Sequence, residues 1–511
     1  MACCPTQQLR KLADIARKYD RGYGHFSTRQ NLQLNWPKLE QVPDILAELA
    51  TRADARHPDL GQLRSATSPP TISPASRADE IVDSFVWCEI IRQWSTFHPE
   101  FTYLPRKFKF AVNGARADRA AVGVHDIGLH AIKNEQARSA SRCWSAAASA
   151  ARRSIGFVIR EFLPWPHLLT YLEAILRVYN RYGRRDNIHK ARIKILVKER
   201  GAEKFREEVE AEWAHLKDGP ATLTARGGRA RRRRASRGRS YEALADQDLR
   251  RARQLPGFAA WLKRNVHPHK VPGYAAVTLS LKKTGVPPGD VTSDQMEAIA
   301  ESRRPLLLRR AARARTSRTW FSPTCARPTC VALWREARAL GLATPNIGLL
   351  TNIIACPGGD FCSLANAKSI PVAEAIQRRF DDLDYLHDIG ELDLNISGCM
   401  NACGHHHVGH IGILGVDKNG EEWYQIRSAA IRETGPAGAS LGKVIGPSFA
   451  RADVPDVDRK PDRVLSRAPR QRSGALHRRR APHRHRTLQG TASMARLIKG
   501  RRARQRDAAV A

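Results

Sequence analysis

The sequence predicts a mixed α/β protein built as two related halves, and three observations carry that prediction. Helical and strand periodicities alternate along the chain instead of running in separate blocks. A strand–turn–loop–strand word occurs twice, at 107–114 with 125–132 and again at 392–398 with 407–414. The second copy carries a cysteine pair at its turn and the first has none. One half is therefore set up to hold metal and the other is not.

The elements follow in order. Residues 9–18 and 38–52 have helical spacing, and 29–36 alternates between them as a strand. Residues 108–114 alternate toward an Asn-Gly turn, which is a strand signal. Helical spacing returns at 164–178 and 371–380, and 273–281 reads as a strand. No apolar run long enough to span a membrane occurs, and no apolar signal core follows Met1. The ten cysteines are not laid out as a secreted disulfide framework, so a reducing cytoplasm is the expected compartment.

A net charge of +36 on 511 residues would suggest a polyanionic partner. Its location argues otherwise. Residues 137–153, 225–240, 302–330 and 463–506 carry Arg without a single acidic residue and account for nearly all of the excess. These patches are rich in Ala, Arg, Ser and Pro with little hydrophobic periodicity, so disorder is the expectation there. They also lack the interleaved aromatics of a single-strand groove. Neither a nucleic acid nor a membrane is an expected partner.

The chemistry concentrates in Cys356-Pro-Gly-Gly-Asp-Phe-Cys362 and Cys399-Met-Asn-Ala-Cys403. Thiolates are the soft ligands that iron–sulfur centres require, and the spacing is wider than that of structural zinc knuckles. A cluster is the leading reading; a zinc site and a group of buried free cysteines are the alternatives. Cys325 and Cys330 lie inside an Arg-rich patch and are set aside. Lys107 and Lys109 sit two apart on a strand and project to one side, which alone reads as a solvated face. No dinucleotide fingerprint and no flavin-binding text are present, so electrons must come from a separate protein.

The words Gly22-Tyr-Gly-His-Phe-Ser-Thr-Arg-Gln-Asn31, Thr102-Tyr-Leu-Pro-Arg-Lys-Phe-Lys109, Cys356 to Cys362 and Gly398-Cys-Met-Asn-Ala-Cys-Gly-His-His-His407 stand in that order. Together they resemble the sirohaem-dependent nitrite/sulfite reductases, and specifically the bacterial sulfite reductase haemoprotein (beta) subunit. The likeness covers roughly 1–60, 78–136, 155–220, 257–301, 331–426 and 437–457.

The resemblance implies an α+β, pseudo-twofold duplicated architecture. Ferredoxin-like half-domains fall at 1–60, read as truncated at its start, and at 257–340, damaged at 302–330. A sirohaem-binding domain without a cluster falls at 75–220, and a 4Fe-4S/sirohaem α/β domain at 341–457. An Arg-rich linker at 221–256 and a basic, disordered tail at 458–511 complete the chain.

Its cofactors by resemblance are sirohaem and a [4Fe–4S] cluster on Cys356, Cys362, Cys399 and Cys403. Cys403 also bridges to the sirohaem iron, with Asn401 beside it among the cofactor contacts. Arg29, Lys107 and Lys109 are the implied catalytic residues on the distal face. Arg181, Arg184, Arg185, Lys190, Arg192 and Lys194 are candidate donors to the carboxylates of sirohaem, since charge-assisted bonds are the strong class. His405, His406 and His407 are expected near the cofactor and not as ligands, because the thiolate takes the proximal position. The implied reaction is six-electron reduction of sulfite to hydrogen sulfide in sulfur assimilation, with nitrite to ammonia as the alternative. The implied donor is an NADPH-flavoprotein subunit or a ferredoxin.

The departures from the family coincide with the basic patches. A family Arg is not secured at Arg64, a Gly-rich strand-turn is replaced at 142–153, and a counterpart of residues 27–31 is missing near 313–320. The patches read as family text translated out of frame, so core strands are expected to be missing there.

Overall fold

The computed structural model describes residues 6–29, 31–51, 63–64, 79–82, 84–96, 98–106, 108–118, 120–133, 139–145, 155–187, 190–224, 244, 249, 251–301, 313–314, 319–428 and 441–457. Two sheets with the same order of directions dominate. In the first, Leu63–Arg64, Phe108–Asn113 and Ile127–Lys133 run parallel, then Ser139–Ser145 and Phe157–Pro164 add antiparallel. In the second, Ile354–Ala355, Leu394–Ser397 and Ile411–Lys418 run parallel, then Glu421–Ser428 and Lys443–Val444 add antiparallel.

The duplication extends to single hydrogen bonds. The Ile81 and Val82 N–H groups both donate to the Gly114 carbonyl (2.8 and 3.1 Å), and those of Asn366 and Ala367 both donate to that of Gly398 (2.9 and 3.1 Å). The Lys109 N–H donates to the Asp126 carboxylate and the Asp393 N–H to His410 Nδ1, each at 2.9 Å. Phe110 pairs with Ile127 as Leu394 pairs with Ile411, so His125 corresponds to Gly409. The repeat is therefore real, but its second word is two residues out of step with the sequence reading, which set His125 against His407.

The central parallel strands are covered on both faces, so Phe108–Asn113 and Leu394–Ser397 are interior throughout. Helix Leu168–Tyr182 fills the first core with Leu172, Ile175 and Tyr179 against Phe108 and Phe110. Helix Ile370–Arg379 fills the second with Val372 and Ile376 against Leu394 and Ile413.

A third core is ferredoxin-like and shared between distant segments. Helix Thr6–Tyr19 packs Leu9, Leu12 and Ala16 against Met296, Ile299 and Ala300 of helix Ser293–Glu301. Strand Tyr23–Phe26 pairs antiparallel with Asp290–Thr292, so the chain's first strand is completed by its middle.

Several expectations shift locally. Only Leu32–Gln33 of 29–36 is strand. Ser27 Oγ takes the N–H groups of Arg29 and Asn31, and Asp20 takes those of Asn35 and Trp36, so side chains compete with the ladder on both sides. Residues 38–52 divide into a 3-10 turn, Leu39–Gln41, and helix Val42–Ala50 with Pro43 in its first turn. Pro164 ends a strand, and a 3-10 turn, Trp165–His167, precedes the following helix.

The larger correction concerns the basic patches. Ser139–Ser145 fills the slot between two strands, and Trp320–Ala326 pairs with Tyr274–Leu279. Irregular register between Ser141 and Trp144 turns Cys143 inward while Arg142 stays outside on Glu161. Trp320 and Cys325 are buried likewise. Small and apolar side chains at the inward positions suffice for a strand despite the arginines between them, so neither disorder nor a missing strand holds at these two places. The patches at 225–240 and 463–506 lie outside the described residues. Among the described residues no helix is long and apolar enough to cross a membrane.

Candidate active site

The two cysteine pairs meet at the ends of the second sheet's parallel strands. Cys356 follows strand Ile354–Ala355, and its sulfur accepts the Gly398 N–H at 3.1 Å, one residue before Cys399. Cys362 closes a turn on the Gly358 carbonyl (3.0 Å), with Gly358 at φ 63°. Burial pushes the Cys399 thiol up; Cys403 and Cys362 push the same way, and hydrogen bonds from Asn401 pull it back. Cys356, Cys362, Cys399 and Cys403 thus form one group, with Asn401 against Cys399. Among the described residues no three His, Cys, Asp or Glu side chains converge on a point that a single metal ion could share.

The turn carrying Cys403 is tightly wound. Ala402 and His405 both adopt left-handed φ values, 54° and 55°, which non-glycine residues seldom do away from functional sites. Gly404 between them has no room for a side chain, since a Cβ would lie 1.8 Å from the Ile396 carbonyl oxygen. Cys403 is the exposed member of the four, and its carbonyl accepts from Thr28 Oγ1 at 2.8 Å. That bond ties the N-terminal half-domain to the cysteine turn.

Arg29, next to Thr28, reaches the first sheet. Its guanidinium donates to His125 Nε2 and to the Phe110 carbonyl, both at 3.1 Å. Lys109 is buried on the same strand as Phe110, and its charge acts on His125, His405 and His407. Lys194, also buried, acts on His407 from helix Ile193–Arg200. His125 and His405 stand edge to face with ring centres 5.7 Å apart. Lys107 lies outside the described residues.

The structure divides the other basic candidates. Arg192 is buried with its guanidinium on both oxygens of the fully buried Asp126 (2.6 and 2.7 Å), so this carboxylate is its partner. Arg181 pairs with Glu212, Arg184 with Asp186, and Arg185 with Asn180 and the Tyr103 carbonyl. Lys190 is exposed. None of these four is among the charges acting on the buried histidines.

The site is therefore a cationic interior facing a group of thiols. Two parts of the chain match family models: residues 3–52 match the nitrite/sulfite reductase ferredoxin-like half domain, and 65–217 match the nitrite and sulphite reductase 4Fe-4S domain. Both models describe domains of the nitrite and sulfite reductases.

In this family of oxidoreductases the chain is 25% identical over 413 residues to a sulfite reductase [ferredoxin] of Mycolicibacterium paratuberculosis, covering 80% of this chain and 67% of that protein. It is 24% identical to a ferredoxin–nitrite reductase of Leptolyngbya laminosa, covering 81% and 75%. The solved structure of the Mycobacterium tuberculosis NirA protein shares the fold, with a TM-score of 0.69 over 92% of this chain and 80% of that one at 22% identity. The span matched to the 4Fe-4S domain contains only Cys88 and Cys143, both buried in the first core. The thiol group lies in the second copy of the same topology.

The family's cofactors are sirohaem and a [4Fe–4S] cluster, and the residues present fit both. Cys362 and Cys403 lie near enough to act on Cys399, and Cys356 takes the N–H of Gly398, the residue before it, a set of soft donors that suits a cluster. Beside them His407 is fully buried, yet neither of its ring nitrogens has a hydrogen-bond partner among the described residues. Burial, with Lys109 and Lys194, pushes its pKa down to about 3. A buried imidazole with both ring nitrogens open among the described residues marks a space made for a polar occupant, and sirohaem with its many carboxylates is one.

The sequence reading missed Thr28, His125 and Asp126 as site residues. The repeat was the available signal, because it singled out the word that begins at His125. Cys325 and Cys330 lie 3.9 Å apart, buried in the ferredoxin-like core with Trp320 and Trp334.

Proposed function

We propose that this chain reduces sulfite to hydrogen sulfide, with electrons supplied by a separate ferredoxin. The observation that carries the reading is the meeting of Arg29 and Lys109 with the Cys399–His407 turn, sealed by the Thr28–Cys403 hydrogen bond. Sirohaem and the cluster, when bound, supply a path for electrons and an iron for the anion's sulfur.

The chain's own residues do the rest. Deprotonated Cys356, Cys362, Cys399 and Cys403 would hold the cluster. Arg29 has two of its N–H groups engaged by His125 and Phe110, which fixes the plane of its fork for an oxyanion. Lys109 keeps positive charge beside departing oxygens and can pass a proton to each. Consuming three oxygens as water and releasing hydrosulfide takes six electrons and seven protons, so a site lined with ammonium and guanidinium groups suits the stoichiometry. Lys194 and Asn401 contribute cofactor contacts, and Arg192 steadies Asp126 beneath Lys109.

The sulfite reductase [ferredoxin] relative supports sulfite and a ferredoxin donor; no comparison points to an NADPH-flavoprotein. Nitrite reduction is the second reading, favoured by the ferredoxin–nitrite reductase relative at nearly the same identity. Purified protein should show a haem-type absorption spectrum with iron and acid-labile sulfide. With reduced ferredoxin, kcat/KM should be higher for sulfite than for nitrite. The opposite ranking selects nitrite, and a colourless, iron-free protein refutes both.

A further inference from the structure

We infer that His125 is a positioning residue for Arg29, a ring acceptor that aims the guanidinium at the bound oxyanion. The inference rests on the reading of Arg29 as an anion-binding residue.

Both ring nitrogens have determined roles. Nδ1 lies 3.0 Å from the Ala121 carbonyl oxygen, which can only accept, so Nδ1 carries the proton. Nε2 is then a lone pair, and it lies 3.1 Å from an Arg29 nitrogen that can only donate. The ring has one orientation and one tautomer that satisfy both partners. Burial and the Arg29 cation hold its pKa well below the usual imidazole range, so the acceptor stays unprotonated. The groups that act on it include Arg29, Lys109 and His407, with His405 edge to face, while the adjacent Asp126 carboxylate is engaged by Arg192.

The backbone beneath His125 is built for this. Ala121 has φ 51° and ψ 49°, a left-handed conformation uncommon for alanine. The 3-10 turn Val122–Val124 then folds His125 back over the Ala121 carbonyl. Gly128 lets that turn approach the sheet, since a Cβ there would lie 2.3 Å from the Val122 carbonyl oxygen. The matching position in the second half is Gly409, so the imidazole is no requirement of the duplicated fold.

The need for such a residue is physical. Arg29 leaves a polar turn and must cross to another sheet, and a long arginine side chain loses rotamer freedom when it is fixed. Anchoring it at His125 and at the Phe110 carbonyl removes that cost from the binding step. Without His125 the guanidinium loses one of its anchors, and its fork is held less firmly.

The test uses cofactor-loaded protein carrying His125→Phe, His125→Gln, Arg29→Met and the Arg29→Met/His125→Phe pair. Sulfite affinity of the oxidised, non-turning-over protein is read from the shift of its visible bands, and KM and kcat are measured separately. His125→Phe should weaken sulfite binding and raise KM by about 10–100-fold with kcat changed less. His125→Gln, whose side-chain oxygen can accept from Arg29, should recover most of the loss. The double variant should be no worse than Arg29→Met alone.

Wild-type sulfite affinity in His125→Phe overturns the inference, as does a His125→Gln variant no better than Phe, or additive losses in the pair. If Phe disrupts cofactor loading, His125→Leu makes the same comparison without added bulk. Undiminished sulfite affinity in Arg29→Met overturns the parent reading as well, so the two failures are told apart.

Discussion

Gly412→Ala tests whether the geometry of the cysteine turn is set by the sheet beneath it. A Cβ on Gly412 would lie 1.8 Å from the His406 carbonyl oxygen and 2.8 Å from its carbonyl carbon. Ordinary contact begins near 3.4 Å, so the turn and the strand must part by about 1.6 Å. The obstacle is backbone, so no rotamer change relieves it, and the movement falls on the turn bearing Cys399, Cys403 and His407. Overpacking of this kind costs about 1–3 kcal/mol, and a misplacement of about 1 Å can cost ~100-fold in rate. The variant should fold, melt a few degrees lower and carry less iron and acid-labile sulfide per chain. Gly128→Ala is the internal control. It meets the Val122 carbonyl oxygen at 2.3 Å, at the equivalent place in the half without the cysteine turn. It should keep its cluster and instead weaken sulfite binding by shifting the His125 turn. Full iron and sulfide in Gly412→Ala, or equal cluster loss in both variants, would refute the reasoning.

Asp126→Ala strands the buried Arg192 and should cost about 3–5 kcal/mol in urea unfolding. The apolar pair Asp126→Leu/Arg192→Met should cost clearly less, and equal losses would show the ion pair itself to be the stabilising element. Cys356→Ser should strip iron from the protein while Cys325→Ser does not; iron loss in both would mean that the two thiol groups are not separate sites. Glu48 has its pKa held at about 2, below the usual 4.5, first by its hydrogen bond from Lys18 and then by that from Tyr19. Its contribution is therefore present above pH 4.5 and fades as pH falls toward 2. Because the pair is largely solvated, Glu48→Gln should lower stability by less than ~1 kcal/mol at pH 7 and by nothing measurable at pH 2. Chelating the iron should raise amide exchange across residues 399–407 and leave 114–125 unchanged; parallel changes in both would contradict a metal-dependent second half.

Much of the site was legible because its chemistry is local. Cysteine spacing, the alternation through Lys109 and the Arg29 word are each short stretches whose side chains declare their use. His125 and Asp126 were not legible, because their roles depend on partners 96 and 66 residues away, Arg29 and Arg192. Charge counting misled for a different reason. Arginine density describes a segment's outward face, whereas strand formation at 139–145 and 320–326 depends on Ala140, Cys143, Trp320 and Cys325, which point inward. The shortened strand at 29–36 was hidden by Ser27 and Asp20, side chains outside or at the edge of the alternating run.

The duplicated loops differ in a way that would suit metal to one half alone. In the first, Asn113 donates from its amide to the Ala115 and Ala117 carbonyls, at 2.8 and 3.0 Å. The Asp118 carboxylate accepts the N–H groups of Ala120 and Val122, both at 2.9 Å. That loop satisfies its backbone with its own side chains and needs no ligand to hold its shape. In the second, the place of Asn113 is taken by Ser397, which accepts only the Gly404 N–H, and the place of Ala115 by Cys399. Asn395 donates to the His405 carbonyl at 2.9 Å, but the other inward groups include the Cys356 and Cys399 thiols and the ring of His407, which has no hydrogen-bond partner among the described residues. Thiols are weak hydrogen-bond partners for a wound turn, and left-handed Ala402 and His405 add strain. Thiolates bound to iron would replace those missing contacts with bonds far stronger than any hydrogen bond. On one backbone, then, the first copy closes its loop on itself beside the buried Lys109, while the second keeps a turn that a bound cluster would steady.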